Sequence, residues 1–189
     1  MLLEQYYSQK HPQKTPCNQR QSGFNLVELI ATMAIAAILL GVGVPSLLRM
    51  INGSLITGYV DAMTGGLAVA RTEAIVEKNS VSICKSADLL NCDNSVDWHD
   101  GWIVFIDANG NQSVDGADRI VRVHEALSAQ TKLVYSGGTY LQYGYKGDLE
   151  SSAGSFVFCP QDNDDTLAQG ITIATSGRVR KDSGPFNCP

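Results

Sequence analysis

Near its C-terminus the chain reads Ser176-Gly177-Arg178-Val179-Arg180-Lys181, three cations within four residues. Guanidinium forks match the geometry of phosphate oxygens, so this cluster suits an anion. Gly177 can adopt the positive φ of a tight turn, and an extended Arg178-Val179-Arg180 puts both arginines on one face. The competing reading is a solvated loop, or an ion pair to acids on a neighbouring subunit. A second residue with chemical potential is Glu28, the only charge between Phe24 and Val44. A carboxylate inside a bilayer costs about 2.5–3.5 kcal/mol on insertion scales and calls for a partner, unless it snorkels to the head groups.

Other candidates are weaker. The stretch from Asp107 through Asn109, Asn111, Ser113 and Asp115 to Asp118 places oxygen side chains at alternate positions with an acid twelfth, which echoes a calcium loop. Its sixth residue is Gln112 rather than glycine, and its flanks read as strands, so an ordinary Asn/Asp/Gly turn is the favoured interpretation. Tyr135, Tyr140, Tyr143 and Tyr145, near Lys132 and Lys146, could stack on bases, although aromatics alternating along strands usually pack inward. His99 and His124 have no evident nucleophile partner and no phosphate-binding glycine loop occurs. The expectation is a non-enzyme without a cofactor or bound metal.

Five cysteines are present, Cys17 and then Cys84, Cys92, Cys159 and Cys188. The last four are an even set in a domain expected to face an oxidising compartment, which implies two disulfides. Three pairings are open; Cys84–Cys92, closing a small loop, and Cys159–Cys188, tying down the C-terminus, are favoured. Zinc is the rival, disfavoured because no CxxC pair occurs.

These residues need elements to hold them. The 21 positions from Phe24 to Val44 would span about 31 Å as a helix, matching a hydrocarbon core of about 30 Å. The preceding residues 1–23 carry Lys10, Lys14 and Arg20 against Glu4 alone, so they should stay cytoplasmic and send the rest outward. Beyond a kink or local melting expected at 41–45, near Gly41, Gly43 and Pro45, residues Leu55, Tyr59, Met63, Leu67, Ala70 and Ala74 recur at helical spacing to about Lys78. After Asn79 the pattern changes to strands at Val81–Cys84, Trp102–Ile106, Arg119–His124, Lys132–Tyr135, Phe156–Phe158 and Ile171–Ala174. One long helix followed by consecutive strands predicts an α+β fold with antiparallel sheet.

Gly23-Phe24-Asn25-Leu26-Val27-Glu28, followed by an apolar helix, resembles the cleavage and methylation signature of type IV prepilins and type II secretion pseudopilins. The resemblance implies cutting between Gly23 and Phe24 by a prepilin peptidase, N-methylation of Phe24, and a role for Glu28 against the new Phe24 amine of an adjacent subunit. If Glu28→Ala were cleaved normally and still supported filament function, that role would be lost. The chain would divide into a leader (1–23), a membrane or filament-core half-helix (24–45), an amphipathic half (46–79) and a β-rich domain (80–189). It would sit in the inner membrane with its globular domain periplasmic, then in a pilus at the cell surface among other major and minor pilins. Cleavage removes three basic residues and one acidic residue, moving the formal charge from −5 to −7. Nucleic-acid affinity would then have to come from a local basic cluster.

Pro45, the stretch from Gly101 to Asn111, and Ile171-Thr172-Ile173 running into Gly177-Arg178-Val179-Arg180 are similar to the GspH/FimT group of minor pilins. FimT-like members linked to DNA uptake contact DNA through a GRxR motif. The resemblance therefore implies DNA binding by Gly177, Arg178, Arg180 and Lys181, in natural transformation. A structural minor pilin that primes assembly, or a pseudopilin of type II secretion, are the alternatives.

Overall fold

The computed structural model describes residues 23–162, 164–182, 184–186 and 188. The predicted leader lies outside the described residues except for Gly23. Helix α1 runs from Leu26 to Glu77, and the chain divides into two units at the Gly43/Val44 boundary. The apolar side chains of the first unit are exposed at all of its described residues, Phe24 at 78%. By length and composition this part of α1 is able to cross a membrane. The helix assignment is unbroken through Gly41, Gly43 and Pro45, so the local melting expected there is absent. Proline removes a single rung of the ladder, and long flanking helix carries that loss cooperatively.

In the second unit the helix buries Ile56, Val60, Met63, Gly66, Leu67, Ala70 and Ala74. The predicted stripe is correct from Met63 onward, but Ile56 and Val60 replace Leu55 and Tyr59 at its start. Tyr59 carries a hydroxyl that needs a partner, and at the margin of the core it accepts the Ser128 amide at 3.1 Å. Small residues allow close approach: a Cβ on Gly66 would lie 3.8 Å from the Trp102 indole nitrogen.

Among the described residues eight strands follow: β1 (Ser80–Lys85), β2 (Trp102–Asp107), β3 (Arg119–His124), β4 (Thr131–Tyr135), β5 (Tyr140–Tyr143), β6 (Gly154–Pro160), β7 (Gln169–Ile173) and β8 (Val179–Asp182). They form two four-stranded sheets, β3-β2-β1-β5 and β4-β6-β7-β8, and every pairing is antiparallel. The α+β architecture is as predicted, with two sheets where the sequence pattern specified six of these strands, not β5 or β8, and none of the pairings. Both sheets and the helix share one core, in which Trp98 joins edge-on to Phe156 (5.0 Å) and Tyr135 (5.8 Å). Burying large aromatic side chains like these dominates core energetics.

Strand β2 is buried along its whole length, because its second face is covered as well. Cys84, Ile103 and Phe105 form a smaller core on that side beneath Leu89, Cys92, Val114 and Ile120. The structure pairs Cys84 with Cys92 and Cys159 with Cys188. The first disulfide pins the loop that covers this face; the second fastens the C-terminal segment to β6. All four thiols are consumed, so none is available to bind zinc.

The Asp107–Asp118 segment is the β2–β3 connection. Asp107 is fully buried, and its carboxylate accepts from Ser82 Oγ (2.8 Å), Gln142 Nε2 (3.0 Å) and the amides of Asn111 (3.0 Å) and Gln112 (2.9 Å). Asp118 accepts the amides of Ala108 and Asp115. Hydrogen bonds from the Asn109 side chain, the Ala117 amide and the Asn111 side chain hold the Asp115 carboxyl below its usual range. The acids that suggested calcium are thus engaged with donors of the loop itself and, for Asp107, of β1 and β5 as well, as expected of a turn.

Candidate nucleic-acid interface

The Gly177–Lys181 segment closes the β7–β8 hairpin. The Gly177 amide donates to Ala174 O at 2.8 Å and the Ala174 amide to Arg178 O at 3.0 Å. Gly177 has φ +74°, a conformation that side-chain-bearing residues rarely take. It is also buried: a Cβ there would lie 2.0 Å from the Gly147 carbonyl oxygen and 3.0 Å from the Tyr143 ring. This contact joins the hairpin to a second turn, Gly144–Asp148. The Leu149 amide strengthens the join by donating to Thr175 O at 2.9 Å. Arg71, from α1, donates Nε to Gly147 O (2.9 Å) and Nη2 to Ser176 O (3.1 Å), clamping both turns.

Alternation along β8 then sorts the cations. Val179 packs on the core, and Lys181 on the same side forms an ion pair with Asp61 of α1. Arg178 and Arg180 project from the other face, both exposed. The structure therefore does not add Lys181 to the arginine pair. Arg180 Nε lies 3.1 Å from Asp182 Oδ1, whereas the Arg178 guanidinium has no hydrogen bond or ion pair among the described residues. Asp182 is held in place by the Thr172 hydroxyl, which donates to its other oxygen at 2.6 Å. The result is a narrow cationic face with one free guanidinium and one shared with an acid.

Sequence reasoning missed Arg71, Asp61 and Asp182. Only strand alternation offered a signal, placing Asp182 beside Arg180; the helix partners are distant in sequence and left none. The other predicted positions are also distributed simply. Phe24 and Glu28 are exposed on the first unit, with Glu28 in the first turn of α1 and no partner among the described residues. Tyr135 and Tyr143 are buried, Tyr140 is half-buried, and Tyr145 is exposed. Burial pushes the Tyr135 hydroxyl up to about 12 and raises that of Tyr143 further. His124 stacks on Trp102 with centroids 3.9 Å apart, a packing role. Asp97, His99 and Asp100 cluster in a 3-10 turn, where the Asp100 carboxylate accepts the Asp97 amide at 2.9 Å.

Residues 60–177 match the family model described as Type II transport protein GspH. The chain belongs to the GspH family. As a GspH-family protein it falls among the minor type IV pilins and pseudopilins, and its fold is shared beyond what sequence identity suggests. Two crystal structures of the type IV minor pilin FimU from Pseudomonas aeruginosa strain PAO1 resemble it. One has a TM-score of 0.53 at 20% identity, covering 67% of this chain and 87% of FimU. The other has a TM-score of 0.50 at 21% identity, covering 67% and 91%. No curated protein matches the chain. The GspH match takes in Arg71 and the Gly144–Asp148 turn and ends at Gly177, so Arg178, Arg180 and Lys181 lie just beyond it.

Proposed function

We propose that this protein is a minor type IV pilin that binds DNA through Arg178 and Arg180 during uptake for natural transformation. The observation that supports this reading most is the exposed, unpaired Arg178 guanidinium, held on a rigid turn with Arg180 on the same face. Rigid placement lowers the ordering cost of each phosphate contact. Contacts to phosphate carry no sequence information, so binding is independent of sequence and weakens with salt. The protein acts by binding and assembly and is not a catalyst. A prepilin peptidase cuts after Gly23 and Phe24 is methylated; the chain then waits in the inner membrane, globular domain outward, before joining other pilins. Glu28, unpartnered in the single chain, meets the Phe24 amine of a neighbour. Exposed Leu47, Met50, Ile51 and Leu55 supply further apolar surface for packing between subunits.

Replacing both arginines in the cell tests this. Arg178→Gln/Arg180→Gln is expected to abolish or strongly reduce transformation while pili and twitching persist. Loss of piliation would instead favour a structural minor pilin that primes assembly. The GspH description itself favours a second alternative, a pseudopilin of type II secretion. In that case the double variant would impair protein secretion and leave DNA uptake unchanged.

A further inference from the structure

The two turns clamped by Arg71 carry more than the arginines. The Gly144–Asp148 turn presents Tyr145 and Lys146, both exposed. Tyr145 is 55% exposed, and among the described residues it is the only tyrosine left so open. Lys146 Nζ stands over its ring, 5.3 Å from the centroid, and pairs with no acid among the described residues. An ammonium over one face steadies the ring by cation–π attraction and leaves the rest of it open. Three links fix this turn against the arginine hairpin: the packing of Gly177 on Gly147 O, the Leu149–Thr175 hydrogen bond, and the double donation from Arg71. The turn that carries an exposed aromatic and a lysine is therefore fixed against the hairpin that carries the two arginines.

Charge alone makes this a modest anion site. Arg178, Arg180 and Lys146 share the two turns and β8 with Asp148 and Asp182, on a chain of net charge −5. A stacking contribution, insensitive to salt, is what such a surface would need to hold a nucleic acid. Bases in a duplex are stacked on one another and closed to a side chain, whereas an unpaired base offers a π-face of any sequence. We propose that Tyr145 is a base-stacking platform which, with Lys146, extends the arginine face into a site for single-stranded DNA. This rests on the DNA-binding reading above and adds a preference for strand form to it.

Fluorescence anisotropy of the full chain in detergent micelles, with a labelled oligothymidylate of about 30 nucleotides and a duplex of equal length, tests the idea. Tyr145→Ala is expected to weaken single-strand binding at least about fivefold and duplex binding less than about twofold, from the usual worth of one stacked base. Tyr145→Phe, which keeps the ring, should restore single-strand affinity. If the wild-type chain binds DNA but Tyr145→Ala changes neither form, or weakens both equally, the stacking platform is wrong and the arginine reading survives. If Tyr145→Phe behaves like Tyr145→Ala, the ring is not what binds. Failure of the wild-type chain to bind either form overturns both readings.

Discussion

Gly177→Ala is expected to destabilise the protein by about 2–5 kcal/mol and to abolish DNA binding, although it removes no charge. The left-handed backbone at φ +74° costs a residue with a Cβ about 1–2 kcal/mol. The larger problem is steric. The new methyl would lie 2.0 Å from the Gly147 carbonyl oxygen, a backbone atom that no rotamer change can move. Relief requires the hairpin and the Gly144–Asp148 turn to separate, and overpacking of this kind adds about 1–3 kcal/mol. Separation would also pull Ser176 O and Gly147 O away from Arg71, so the clamp and the arginine face fail together. Trp98 and Trp102 are both buried, and their fluorescence reports the melting of the full chain in detergent micelles. A Gly177→Ala melt within about 0.5 kcal/mol of wild type would mean that the two turns do not meet as described.

Asp107→Ala is the second large effect, and it acts on the scaffold rather than the site. The carboxylate accepts four hydrogen bonds in a fully buried position. Its loss leaves the Gln112 amide without its acceptor and takes the shared anionic acceptor from Ser82, Gln142 and the Asn111 amide, which as donors keep only the Gln142–Ser82 and Asn111–Asn109 hydrogen bonds. Each polar group left unsatisfied away from water costs about 1–3 kcal/mol, some of it recovered by relaxation or water entry. A total of about 3–5 kcal/mol is expected, or a fall in melting temperature of roughly 6–20 °C for a chain of this size. Asp107→Asn should fall in between, since one acceptor becomes a donor facing donors. Ser82→Ala combined with Asp107→Ala should cost less than the two single effects added together, because they share one network. Full additivity would deny the network. The same variant should leave DNA affinity at low temperature unchanged, since Asp107 is on the first sheet and Arg178 lies in the β7–β8 hairpin of the second.

How much of this was legible in the sequence depends on whether the physics involved was local. The apolar run from Phe24 and the stripe ending at Ala74 follow from helical periodicity alone. Strands β1 to β4, β6 and β7 follow from apolar runs bounded by turn residues. Strands β5 and β8 escaped because each is only four residues long, one ending in a Tyr-Gly turn and the other mostly charged, which gives too short an apolar signal. The division into two sheets was not readable, because sequence patterns show which segments are strands and not which strands pair. Leu55 and Tyr59 were placed one position out because periodicity cannot weigh the hydroxyl that sends Tyr59 to the margin. At the site, the shared face of Arg178 and Arg180 followed from a period of two. The same rule assigns Lys181 to the opposite face, yet adjacency in sequence grouped it with them. Arg71 was invisible: its two acceptors lie 76 and 105 residues away and are backbone carbonyls, which leave no trace in residue type.

The arginine face is tested most directly by the salt dependence of DNA binding. Each phosphate contact on a duplex contributes about 0.9 to the slope of log affinity against log salt. For the full chain in detergent micelles and a labelled duplex, Arg178→Gln/Arg180→Gln is expected to flatten that slope by up to about 1.8 and to weaken binding most at low salt. Asp182→Asn, which frees Arg180 from its acid, should strengthen binding by about two- to fivefold, the worth of a surface ion pair. A double variant with the slope and affinity of the wild-type chain would contradict the assignment of DNA binding to Arg178 and Arg180.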